Sequence, residues 1–140
     1  MIHRAVIDTN VLVAGLRSRR GTSFQLLRLL GDPRWCPCLS VPLALEYEDV
    51  LKREFMQTII SPADVDLLLD YLFEVADLFE VQFRLRPTLR DPDDDRILEL
   101  AARAGATIVT FNTRDFVGAL AYGVPVVEPV EFLKQIGESR

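Results

Sequence analysis

Histidine is nearly absent from this sequence: His3, beside the N-terminus, is the only one in 140 residues. Mechanisms of the Ser-His-Asp or Cys-His type need an imidazole held in place by the fold, and one residue at the start of a first strand gives them little support. Cysteine is almost as scarce, with Cys36 and Cys38 forming a single C-P-C. A structural zinc site takes a full tetrahedral set of ligands, which this pair and His3 do not supply, so the thiols read as half-buried residues in or beside a strand. No apolar run approaches the ~20 residues of a membrane-spanning helix, so no membrane is expected as a partner. The opening MIHRAVIDTN has no long apolar stretch ahead of a small-residue cleavage site; this predicts no secretory leader and a cytoplasmic location. Cations are in deficit too. The 16 Lys and Arg are outnumbered by 21 Asp and Glu, for a net charge of −5, whereas a nucleic-acid binder normally carries an excess of positive charge.

What is present is an ordinary globular balance, 49% hydrophobic and 26% charged, which excludes a disordered chain. The length suits one domain over residues 1–140 with one main core. The charges are bunched. Acids gather at Asp91, Asp93, Asp94 and Asp95, and arginines at Arg17, Arg19 and Arg20 and again at Arg84, Arg86 and Arg90. A carboxylate pocket rimmed by arginines reconciles the net charge with a polyanionic substrate.

The patterning predicts strands alternating with helices. Ile2 to Ile7 is a short β-branched run ended by the polar Asp8-Thr9-Asn10, hence a buried strand and a turn. Helices follow from about Asn10 to Leu16 and, capped by Thr22 or Ser23, to Leu30, where Gly31-Asp32-Pro33 stops the chain. Trp35 to Leu39 reads as a strand whose Pro37 suggests an edge or a bulge. Ser40 caps a helix entered through Pro42 and running to about Arg53, and Ser61-Pro62 opens another through Val75. Phe79 to Phe83 alternates and predicts a short strand; Arg84 to Asp93 predicts a loop. A helix begins at Asp94 or Asp95 and ends at Gly105. Ala106 to Thr110 is a clean buried strand, Asn112 to Asp115 a turn, Phe116 to Ala121 a short helix, Val124 to Val127 a last strand, and Pro129 starts a terminal helix. This order predicts an α/β fold, a doubly wound, mainly parallel sheet flanked by helices on both faces.

In such folds sites form outside the carboxyl ends of the strands. Asp8 directly follows the first strand, Glu46 lies in the first half of the helix after Ser40, and Asp94 opens the helix leading to the strand that ends at Thr110. Carboxylates gathered in one pocket repel one another. A divalent cation such as Mg²⁺ or Mn²⁺ relieves that repulsion and suits oxygen ligands. Such a site activates water and holds a phosphodiester, chemistry that needs neither histidine nor a serine nucleophile. Taken singly, each acid also has a plain structural role: Asp8 as a helix N-cap, Glu46 as a partly exposed helix residue, and the Asp91 to Asp95 run as acids near a helix's positive end.

The blocks V-I-D-T-N-V-L-V, S-V-P-L-A-L-E-Y-E-D-V-L-K-R, R-D-P-D-D-D-R-I-L-E-L-A and I-V-T-F-N-T-R-D-F, in this order and over essentially the whole chain, strongly resemble PIN domains. The likeness is strongest to the small, VapC-like toxins of type II toxin–antitoxin pairs. The resemblance implies a Mg²⁺- or Mn²⁺-dependent endoribonuclease whose three acids fall on Asp8, Glu46 and Asp94, with Asp91 near enough to reach metal through water. Where the family often has an aspartate in a T-x-D turn, this sequence has Asn112, with Asp115 three residues on as a substitute metal ligand. Thr9 and Thr110 would supply supporting hydroxyls, and Asn10 would hold the turn. Arg17, Arg19, Arg20, Arg86 and Arg90 would hold flanking phosphates of the RNA. The resemblance also implies an antitoxin partner, and the amphipathic helices 42–53 and 61–76 offer faces for a homodimer. One alternative keeps the fold but has little turnover, a PIN-like RNA-binding module. A phosphoacceptor domain is a further alternative, but it wants a lysine directly after a later strand, and Thr110 is followed by Phe111 and Val127 by Glu128.

Overall fold

The computed structural model describes residues 2–81 and 92–138, with the side chains of 92 and 93 outside the description. Among the described residues five strands form one sheet: β1 (His3–Ile7), β2 (Trp35–Leu39), β3 (Asp77–Leu78), β4 (Thr107–Val109) and β5 (Val126–Val127). Their order across the sheet is β3-β2-β1-β4-β5, and every pairing is parallel. The helices are α1 (Thr9–Arg17), α2 (Thr22–Arg28), α3 (Val41–Leu51), α4 (Pro62–Val75), α5 (Pro92–Ala104) and α6 (Pro129–Gln135), with 3₁₀ segments at Glu54–Met56 and Thr113–Tyr122.

The chain winds from β1 outward to β2 and β3, then returns across β1 through α5 to reach β4 and β5. Parallel crossovers are right-handed almost without exception, so reversing direction puts the helices of the two halves on opposite faces. The doubly wound expectation holds. The reversal falls between β1 and β4, where Ile7 stands opposite Val109 and the amide of Asp8 donates to the Val109 carbonyl at 2.9 Å. The first residues past both strands, Asp8 and Thr110, therefore emerge side by side.

Burial explains why these strands are central. Ala5, Val6, Ile108 and Val109 are wholly buried, and Val11, Leu12, Leu26, Leu51, Val65, Leu98 and Phe132 close the core from the helices. A strand covered on both faces reads as continuous apolar sequence rather than alternation, as A-V-I and I-V do here. The α1–α2 hairpin packs unusually tightly. A Cβ on Gly15 would lie 2.5 Å from Leu27 Cδ1 and 3.2 Å from the Ser23 carbonyl carbon, so only glycine fits the present spacing.

Four local expectations are corrected. Pro37 lies in an interior strand, not at an edge; β3 pairs only from Cys38 onward, so no bond to β3 is lost at the proline. The third strand is Asp77–Leu78, placed directly after α4, and 79–81 continue without strand geometry, while residues 82 and 83 of the expected strand lie outside the described residues. Helix α5 begins at Pro92 rather than at Asp94 or Asp95, as suits a proline, which lacks the N–H that a first helical turn leaves unused. In place of the expected turn at 112–115 and helix at 116–121 stand two short 3₁₀ segments between Thr113 and Tyr122, separated by a kink at Phe116 (φ −114°, ψ 23°). The predicted loop residues Arg84, Arg86, Arg90 and Asp91 lie outside the described residues.

Candidate active site

Asp8 occupies the N-cap position of α1 but makes no capping hydrogen bond there. Its Oδ2 instead accepts from the Thr110 hydroxyl at 2.7 Å, across the switch point. The simple capping role is thus excluded by where the carboxylate goes. Thr110 is wholly buried and its oxygen is a hub. It also accepts from the Asn112 amide at 3.0 Å and from Asn10 Nδ2 at 3.4 Å. Asn10 Oδ1 in turn accepts from the Phe111 amide at 3.5 Å. The turn after β4 is so tied to the first turn of α1.

Glu46 reaches the same place from α3. Ser40 caps that helix by accepting from the Leu43 amide at 3.3 Å, and Pro42 suits its first turn. One turn on, Glu46 Oε2 accepts a hydrogen bond from the Thr9 hydroxyl. The adjacent Tyr47 is buried and donates its hydroxyl to the Ile7 carbonyl at 2.5 Å. Burial, then the charges of Asp8 and Glu46, push the Tyr47 phenol well above its ordinary range. The Thr9 hydroxyl bound to Glu46 belongs to the chain neighbour of Asp8, so the fold brings α3 and its acid to the β1–α1 junction.

Asp94 is half-buried near the start of α5. Among the described residues no group of three or more carboxylate, histidine or cysteine side chains stands close enough to hold a metal ion as placed. The donor chemistry of the Asp8–Glu46 pair nonetheless fits a divalent cation such as Mg²⁺ or Mn²⁺: both are half-buried carboxylates, and hard oxygen ligands suit such ions. Asn112 and Asp115 are exposed on the next turn, where the Asp115 amide donates to the Asn112 carbonyl at 3.0 Å.

Arg17, the last residue of α1, and Arg19 and Arg20 just beyond it are exposed. A helix of nine residues rises about 13 Å, so they sit a full helix length from Asp8. Sequence reasoning gave Asp95 no place in the site and passed over Glu99. Asp95 and Glu99, one turn apart on α5, are 2% and 8% exposed, and both engage other groups. Their i, i+4 spacing on an otherwise apolar face was the available signal. Cys36 and Cys38 carry no site. Burial raises both thiols, Cys38 to about 12, which disfavours the reactive thiolate.

No helix among the described residues is long and apolar enough to cross a membrane. No curated protein matches the sequence. Among solved structures, the crystal structure of VapBC2 from Rickettsia felis bound to a DNA fragment from their promoter is similar, with a TM-score of 0.57 at 15% identity, over 89% of this chain and 97% of that one. At that identity the likeness speaks for the fold. The family model of the PIN domain matches residues 4–114, a stretch that contains the switch point, Asp8, Glu46, Asp94 and Thr110. The chain belongs to the PIN domain family, whose members are generally nucleases.

Proposed function

We propose that this chain is a metal-dependent endoribonuclease of the VapC-like kind, a single domain over 1–140 acting in the cytoplasm as the toxin of a toxin–antitoxin pair. The observation that carries the reading is the Asp8 carboxylate. It stands at the topological switch point, turned away from its own helix and tied to Thr110, beside a second acid from α3. Asp8 and Glu46 would hold Mg²⁺ or Mn²⁺, and Asp94 would join them directly or through water. Asp91, Asn112 or Asp115 would add a further contact. When bound, the cation supplies a Lewis acid and a water of lowered pKa for attack on a phosphodiester. The chain's own groups do the rest. Thr110 and Thr9 orient the two carboxylates by donating their hydroxyl protons, and Asn10 keeps the Thr110 turn in place. An antitoxin is the protein partner, and a second copy forms a homodimer. The net charge of −5 favours a basic antitoxin segment electrostatically.

The test incubates purified protein with RNA and Mn²⁺, beside Asp8→Asn and Glu46→Gln. Cleavage by the parent that is lost in both variants is the expected result. Equal cleavage by all three would remove both acids from the site. The weakly catalytic RNA-binding reading draws on one observation, Asn112 in place of an acid; tight RNA binding without metal-stimulated cutting would favour it.

A further inference from the structure

We infer that Phe111 and Arg114 form a nucleotide subsite beside the acids, in which Phe111 stacks on a base of single-stranded RNA and Arg114 pairs with a phosphate; this rests on the ribonuclease reading above. Single exposed apolar residues are ordinary on a protein surface, but Phe111 is not an ordinary one. It is 40% exposed between the wholly buried Thr110 and the exposed Asn112. Its backbone is pinned on both sides. The Phe111 amide donates to Asn10 Oδ1 at 3.5 Å, and the following amide donates to the Thr110 hydroxyl oxygen at 3.0 Å. That same hydroxyl holds Asp8 at 2.7 Å. The ring is therefore carried on a fixed backbone, one residue from the group that orients the candidate metal ligand.

Arg114 stands on the same turn, which the Asp115 amide closes onto the Asn112 carbonyl at 3.0 Å. It is exposed, and it forms no ion pair among the described residues. Arg4, Arg34, Lys52 and Arg53, by contrast, are each paired with acids. A polyanion approaching Asp8 and Glu46 meets two negative charges, and a guanidinium on the adjoining turn offsets them. The Arg17 to Arg20 cluster is a helix length away. An aromatic plane and a cation on one turn are the two components of sequence-tolerant single-strand binding, since every base offers a π-face and every nucleotide a phosphate.

The test measures fluorescence anisotropy of a labelled single-stranded RNA of mixed sequence, in EDTA so that the strand stays intact, beside an abasic strand of equal length. Phe111→Ala is expected to weaken binding to the RNA on the order of ten-fold and to have no such effect on the abasic strand. Phe111→Trp should bind as the parent does, and Phe111→Leu as poorly as Phe111→Ala. Arg114→Gln should lower the salt dependence on both strands by about 0.7 in log–log slope. Parent-like binding by Phe111→Leu, an equal loss on the abasic strand, or an unchanged slope for Arg114→Gln would overturn the subsite. Cleavage by the parent in Mn²⁺ with undiminished binding by Phe111→Ala would remove the subsite alone. Neither binding nor cleavage by the parent would remove the ribonuclease reading and the subsite with it.

Discussion

The Tyr47 hydroxyl donates to the Ile7 carbonyl at 2.5 Å, and each of these residues is the chain neighbour of an acid, Glu46 on one side and Asp8 on the other. Thr9, one residue beyond Asp8, donates its hydroxyl to Glu46. Helix α3 thus grips the β1–α1 junction at two points that bracket Asp8. Because burial and the two acids hold the phenol well above its ordinary range, Tyr47 stays a donor throughout the neutral range.

Tyr47→Phe keeps the ring and removes that donor, leaving a buried carbonyl without its partner. Such a loss costs about 1–3 kcal/mol. Urea unfolding is expected to show a lower midpoint with an unchanged slope; an unchanged midpoint would mean that the bond does not hold α3 in place.

Thr110→Val is close to isosteric but loses the proton given to Asp8 and the oxygen that receives the Asn112 and Asn10 donors. Loss of a group that orients a metal ligand costs roughly ten- to a hundred-fold in metal affinity or activity. Calorimetric titration with Mn²⁺ checks this. Thr110→Ser, which keeps the hydroxyl, should bind nearly as the parent does, and Thr110→Val binding equally well would separate the hydroxyl from the site.

Gly15→Val drives a branched side chain into Leu27 and the Ser23 backbone, where even a Cβ is too close. Overpacking of this kind costs about 1–3 kcal/mol, read as a fall in melting temperature. Gly15→Ala should cost less, since the nearest atom is the end of a leucine side chain and alanine favours the helix. A valine variant as stable as the parent would show that α1 and α2 separate freely.

Cys38 is pushed up to about 12 by burial first and by Cys36 next, and Tyr47 is raised as well. For an acid whose folded pKa is raised, the unfolded chain loses its proton first, so stability falls as pH climbs from the unfolded value towards the folded one. The stability curve is therefore expected to decline above about pH 9, the ordinary thiol range, and to decline less in Cys38→Ala. At pH 8 an aromatic disulfide reagent should leave Cys38 unmodified until urea is added. Rapid native labelling would contradict its burial.

Much of the fold is legible in the local pattern. The runs I-H-R-A-V-I and A-T-I-V-T, bounded by polar turns, mark the two central strands. Ser40 and Ser61, each followed by a proline or nearly so, mark helix starts that the structure shows as true side-chain caps. The misplaced pieces have a common cause. The position of β3 and the interior setting of Pro37 depend on which strand lies alongside, and that is a property of pairing across the sheet, which no local window contains. The site behaves likewise. Asp8 and Thr110 stand out because each follows a clean strand, and Asp95 and Glu99 are marked only by their i, i+4 spacing, but Phe111 and Arg114 carry no local mark that separates them from surface residues.

The carboxylates themselves, the scarcity of histidine and cysteine, and the strand–helix alternation are written in the sequence, and they narrow the chemistry to oxygen ligands at the ends of parallel strands. Only the tertiary structure decides that Asp8 turns from its own helix to Thr110, 102 residues away, and that Glu46 meets Thr9 from another helix. The physical reason is the reversal of winding between β1 and β4. It sets two distant turns side by side, and a carboxylate there finds a hydroxyl across the gap as well placed as any amide on its own helix.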